Sequence, residues 1–82
     1  MNPDRTAIFD RVAAILKAHA KEDIPITADL RIAADLAIDS VEMFDLVMEI
    51  EDLYDISFPI EEASAIDTVG SLVDAISRLS NA

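Results

Sequence analysis

Ile8, Phe9, Val12, Ile15 and Leu16, followed by His19, fall on one stripe of a helix of about four to five turns. Asn2-Pro3-Asp4 reads as its start. Asn2 suits the N-cap, Pro3 the first helical position and Asp4 the positive end of the dipole. Lys17 and Lys21 fall at the far end, where cations are favoured. Pro25 and Thr27 then argue against continuous helix, and residues 21–38 read as a long connection. Ile24, Ile26, Leu30, Ile32, Leu36 and Ile38 are apolar all the same, so this loop is expected to be pinned across the bundle by its own side chains. Ala33-Ala34-Asp35-Leu36 suits one helical turn.

The second long helix is expected from about Ser40 to Tyr54. Asp39 can cap it, with Glu42 placed for the reciprocal arm of a capping box and Ile38 and Met43 for a hydrophobic staple. Pro59 forbids continuation past Ile56-Ser57-Phe58. Ile60-Glu61-Glu62-Ala63 suits a short third helix. Thr68 or Asp67 caps the last helix, whose stripe is Val69, Leu72, Val73, Ile76 and Leu79. Strand signals are weak throughout, so the fold class is all-α.

At about 100° per residue the faces of the Ser40–Tyr54 helix separate. Met43, Leu46, Val47, Ile50, Leu53 and Tyr54 share a broad face that suits a core. Glu42, Asp45, Glu49 and Asp52 line another, at spacings of three, four and three. Like charges so placed destabilise an isolated helix slightly, and nothing in folding asks for them. Between that stripe and Glu51 lie Val41, Phe44 and Met48, which cannot share the core face. They form a small apolar strip beside Ser40, rimmed by carboxylates, as a transient docking surface does. A merely solvated acidic face with scattered apolar residues is the competing reading.

Six basic against 17 acidic residues give a formal net charge of −11, which repels nucleic acid and anionic membranes and favours partners with basic patches. Hydrophobic residues make up 52% of the 82, too many for a disordered chain, so a single domain over 1–82 is expected. No apolar run suits a membrane span, and Met1-Asn2-Pro3-Asp4 does not read as a signal peptide, so a cytoplasmic protein without membrane insertion is expected. Cysteine is absent, so any thiol chemistry has to come from an added group.

Ser40 follows the helix-starting Asp39. An ester phosphate there would meet free backbone N–H groups and the positive end of the dipole. No base, activator or metal cluster is near, so the serine suits attachment better than catalysis. Ser is also common at helix starts for capping alone, and that alternative stays open on the residues themselves. The only glycine, Gly70, begins the last helix, which excludes an EF-hand loop. His19 suits a partly buried or dipole-favoured side chain rather than a ligand or base. No catalytic residue and no metal site is expected.

The run from Asp35 through Asp39-Ser40-Val41-Glu42 to Glu51 resembles the core of acyl carrier proteins, and the similarity continues through Tyr54-Asp55-Ile56-Ser57-Phe58-Pro59 and Asp67-Thr68-Val69. The resemblance implies a four-helix bundle with three longer helices, a short third one and a long first loop. It implies that Ser40 receives 4′-phosphopantetheine, derived from coenzyme A, from a carrier-protein synthase, and that the arm holds acyl groups as thioesters. Such a carrier serves acyl-transferring or acyl-modifying enzymes of fatty-acid, lipid or polyketide synthesis and is not itself an enzyme. By the same likeness Asp39, Val41, Glu42, Asp45, Met48 and Glu51 face partner enzymes. With Phe44, Glu49 and Asp52 from the helix faces, they make the expected docking set of a monomeric carrier. An acyl chain is expected to fold back between the helices, lined by Leu46, Ile50, Phe58, Ile66 and Leu72.

The chain departs from the family's pattern in places. Ala37 stands where glycine is usual, at a position where glycine can take positive φ. Val41 replaces the commoner Leu, Ile60 stands where an acidic residue is frequent, and Phe44 is bulkier than usual. These departures point to a carrier dedicated to one pathway. An aminoacyl or D-alanyl carrier, or a helical interaction module that never bears the arm, are the alternatives.

Overall fold

A computed structural model describes residues 5–20 and 23–80. Its helices are α1 (Arg5–His19), α2 (Ile32–Leu36), α3 (Ser40–Tyr54), α4 (Ile60–Ala65) and α5 (Val69–Ser80). The helix start read at Asn2-Pro3-Asp4 and the cation at Lys21 lie outside the described residues. α1 turns Ile8, Val12 and Leu16 inward, one per turn, and carries Lys17 and His19 in its last turn. It packs on both α5 and α3. α1, α3 and α5 are the three longer helices and α4 the short one expected; α2 adds a single short element within the long first connection.

That connection is pinned by its side chains, as its apolar residues suggest. Ile32, Leu36 and Ile38 are buried, and Ile24, Ile26 and Leu30 pack against the core. Its backbone is also tied to the start of α5. The Ile32 N–H donates to Asp67 O at 2.9 Å, Val69 N–H to Leu30 O at 2.9 Å, and Gly70 N–H to Ala28 O at 2.9 Å. Arg31 and Thr68 form an isolated antiparallel bridge within this pairing. Gly70 permits the approach: a Cβ there would sit 3.1 Å from Ala28 O.

Side-chain caps define the remaining ends. Thr68 caps α5 rather than Asp67. Its Oγ1 accepts the Ser71 N–H at 3.1 Å, while Ser71 Oγ accepts the N–H groups of Thr68 at 3.0 Å and Asp67 at 3.1 Å. α3 ends at Asp55, whose left-handed backbone (φ 54°) closes on Glu51 O. Pro59, extended at ψ 154°, starts α4, which buries none of its residues. An Arg78 guanidinium grips both Glu62 oxygens at 3.0 and 2.6 Å and holds α4 to α5.

One core-facing residue falls elsewhere. Leu53 was expected in the core with Leu46, Val47 and Ile50, but it is 44% exposed. It borders a shallow depression with Asp10, Arg11, Ala14 and Ile15 of α1, which leave it open to solvent.

Ala37 adopts φ 56°, ψ 39°, the left-handed conformation that its place in the chain demands. An L-residue pays about 1–2 kcal/mol there. Ala37→Gly is therefore expected to stabilise the protein by about 1 kcal/mol, once the greater unfolded-chain freedom of glycine is set against the relief. A higher urea midpoint at unchanged slope is the expected result; an unchanged or lower midpoint contradicts it.

Candidate functional site

Ser40 is placed by a tight sequence of local decisions. Leu36 and Ile38 are buried on either side of Ala37, and the left-handed Ala37 turns the chain between them. Asp39 is then extended, and its Oδ1 accepts the Glu42 N–H at 2.9 Å. Its carbonyl takes the Met43 N–H at 2.9 Å. Ser40 is therefore the first helical residue, and it is exposed. Helix first turns leave N–H groups without intrahelical acceptors, and those of Ser40 and Val41 are the ones Asp39 does not take. They and the helix dipole favour an anion at this point.

Ser40 also sits at the lip of a cleft of about 480 Å³ between α3 and α4. Met43, Phe44, Val47 and Met48 form the α3 wall; Phe58, Ile60, Ala63 and Ile66 form the opposite one. The lining expected from sequence needs correction here. Phe58 and Ile66 do line the cleft, whereas Leu46, Ile50 and Leu72 have no exposed surface and belong to the core. Leu46 and Ile50 of α3 and Leu72 of α5 share the buried cluster with Ile8, Val12 and Leu16 of α1, while the cleft opens beside α4, which buries nothing.

The outer face of α3 carries the strip that helix geometry separates from the core. Val41 is 70% exposed, Phe44 65% and Met48 62%. Ile60 of α4, 83% exposed, adds to this apolar surface from across the cleft. Only its departure from the family pattern marked it in the sequence. Asp45 and Asp52 are exposed. Glu51 is half-buried, and its Oε2 accepts the Phe58 N–H at 2.7 Å, which ties the α3–α4 connection to α3.

Glu42 and Glu49 have a role that the sequence reading denied them. His19, half-buried at the end of α1, places Nδ1 3.0 Å from Glu42 Oε2 and Nε2 2.6 Å from Glu49 Oε2. Two turns of α3 are thereby stapled to α1, so folding does ask for half of the acidic stripe. Glu42 spends its carboxylate on this contact instead of the reciprocal arm of a capping box. Hydrogen bonds to Glu49 and then Glu42 raise the His19 pKa above its ordinary 6.5, against a smaller opposing effect of burial.

A family model described as a phosphopantetheine attachment site matches residues 6–76. The acyl carrier protein of Borreliella burgdorferi is 33% identical over 76 residues, 92% of this chain and 95% of its own. The chain belongs to the acyl carrier protein family. A probable acyl carrier protein of Caulobacter vibrioides is 36% identical over 56 residues, 68% of this chain and 65% of the relative's length. Among solved structures, the acyl carrier protein of Enterococcus faecalis superposes with a TM-score of 0.81 at 34% identity, covering 94% of this chain and 99% of that one. Acyl carrier proteins are carriers and not enzymes, and their prosthetic group is phosphopantetheine. The carrier's surface fits that group: an exposed hydroxyl, an anion-favouring helix start and an adjoining apolar cleft lie together. Among the described residues, no helix is long and apolar enough to cross a membrane.

A raised folded-state pKa stabilises while the histidine is protonated. The contribution is complete below the unfolded value of about 6.5 and fades as pH rises through the higher folded value. The stability advantage of the parent over His19→Gln is therefore expected to be largest below about pH 6.5 and to shrink above it. Urea denaturation of both proteins across pH 5.5–8.5 measures this; an advantage that grows with pH contradicts the double contact.

Proposed function

We propose that Ser40 Oγ is the attachment point of 4′-phosphopantetheine and that the protein presents acyl groups to enzymes of fatty-acid, lipid or polyketide synthesis. The observation that carries this reading is the position of Ser40: exposed, first in α3, and at the lip of an apolar cleft. When bound, the arm supplies a terminal thiol that holds an acyl group as a thioester. The protein's own residues do the rest. The first-turn N–H groups of α3 and its dipole stabilise the phosphodiester charge. Met43, Val47, Phe58 and Ile66 offer an apolar wall on which an acyl chain can leave water. A tether at Ser40 raises the local concentration of cargo at any docked enzyme.

The same reading assigns docking to α3. Val41, Phe44 and Met48 are its apolar centre, with Ile60 beside them, and Asp39, Asp45 and Asp52 its exposed charged rim. Glu42, Glu49 and Glu51 lie on the same helix but are engaged with His19 or the Phe58 N–H. The partners are a carrier-protein synthase and acyl-handling enzymes with basic patches. The protein acts as a monomer in the cytoplasm, where such enzymes work. Weak, salt-sensitive contacts suit a carrier that has to leave each enzyme for the next.

Incubation with coenzyme A and a competent carrier-protein synthase, read by intact-mass spectrometry, tests attachment. A gain of one arm is expected for the parent and none for Ser40→Ala. A parent of unchanged mass would instead favour a helical interaction module. Docking is tested with Asp45→Lys, since Asp45 is exposed and has no ion-pair partner among the described residues. Slower association with the synthase and a flatter salt dependence are expected, with the dissociation rate little changed. Equal association rates at low salt would remove Asp45 from the docking surface.

A further inference from the structure

The two carboxylates that His19 holds are part of the acidic stripe of the docking helix. Glu42 and Glu49 lie seven residues apart, two turns along one face of α3, with Asp45 between them. Both ring nitrogens of His19 meet carboxylate oxygens, at 3.0 and 2.6 Å. An ionised carboxylate only accepts, whereas a neutral imidazole has one donor and one acceptor. Both contacts can therefore be satisfied together only by the imidazolium. Loss of its proton leaves one carboxylate facing a lone pair, and that contact opens.

We propose that His19 is a positioning residue for the docking face: protonated, it holds Glu42 and Glu49 against α1, and neutral, it returns a carboxylate to the α3 surface that partner enzymes meet. The inference rests on the assignment of α3 as the docking helix. Protonation also changes the local charge. The three groups together carry −1 with the ring protonated and −2 without.

The charged surroundings of His19 agree with a local device. From α3 it faces Glu42 and Glu49, with the exposed Asp45 on the same stripe. On its own helix the residues one turn back are Ile15 and Leu16, and Lys17 is the nearest cation in sequence among the described residues of α1. Asp23, exposed in the connection, is the next acid described along the chain. The ion pair between α1 and α5, Arg5 with Asp74, lies at the opposite end of α1. The negative end of the α1 dipole adds to the pull on the proton. The docking face thus gains negative charge as the pH rises through the His19 titration.

Two measurements on the intact protein test this. In the first, NMR follows the His19 ring and the side-chain carboxyl carbons of Glu42 and Glu49 from pH 5.5 to 8.5. A ring titrating above about 6.5, with the same step reported by at least one of the two glutamates, supports the device. A ring titrating at or below that value, or glutamates that do not sense it, overturns it. In the second, stopped-flow association with a carrier-protein synthase is measured at fixed ionic strength for the parent and for His19→Gln. The ratio of the two rates cancels the synthase's own titrations. It is expected to rise about two- to threefold with pH across the His19 step, as suits one unit charge on a steered encounter. A ratio that stays flat, with both proteins binding normally, overturns the His19 proposal and leaves the docking helix standing. Failure of both proteins to bind at any pH removes the docking helix and this inference with it.

Discussion

Burial of Ile38 and capping by Asp39 fix the residue at which α3 begins, and with it the direction of the Ser40 side chain. Ile38 cannot leave the core without exposing an isoleucine, at a cost of about 1.5–3 kcal/mol. Asp39 cannot enter the helix without releasing the Glu42 N–H. Between these two restraints the helix has one starting point. Ala37 bears the consequence, since its backbone is forced into a conformation that glycine takes freely. Strain tolerated next to a site is understandable where the neighbouring turn has to be held in one place.

α3 is then used on every side. Its inner face, Leu46 and Ile50, is sealed in the core. The flank toward α4 forms the cleft wall below Ser40. The outer face shows Val41, Phe44 and Met48 to solvent, and the flank toward α1 supplies the two glutamates that hold His19. α4 can take part in a cleft because it is only lightly committed: it buries none of its residues and is held by Pro59, by the pairing of Glu62 with Arg78, and by the neighbouring Phe58 N–H on Glu51. Elements with few buried contacts open at low free energy.

Much of this was legible in the residues themselves. The bounds of α3 follow from Asp39 at one end and the block at Pro59 beyond the other, both of which act locally. The exposed strip follows from helix periodicity alone. Gly70 and the loop it admits could be placed only once the fold brought Ala28 against it, because the contact joins residues distant in the chain. Leu53 was misplaced for a related reason: periodicity says which way a side chain points, and only the facing helix says whether anything covers it. The cleft lining divided the same way. Phe58 and Ile66 flank α4 and reach the cleft, while Leu46, Ile50 and Leu72 face other helices. His19 lies 23 residues from Glu42 and 30 from Glu49, so its double contact left no local trace. A lone histidine at the end of an apolar stripe and an acidic stripe with no folding purpose were the two halves of one signal.

The hydroxyl at residue 40 is the claim on which the function turns, and site-localised mass spectrometry tests it most directly. Protein from its native host is cleaved at arginine, and the peptide bounded by Arg31 and Arg78 is fragmented. That peptide also holds Ser57, Ser64, Ser71 and Ser77, so it offers the arm other hydroxyls, and Ser64 lines the same cleft. We expect the phosphopantetheine mass on Ser40 alone. Its presence on Ser64 or on any other serine, with Ser40 unmodified, would contradict the assignment.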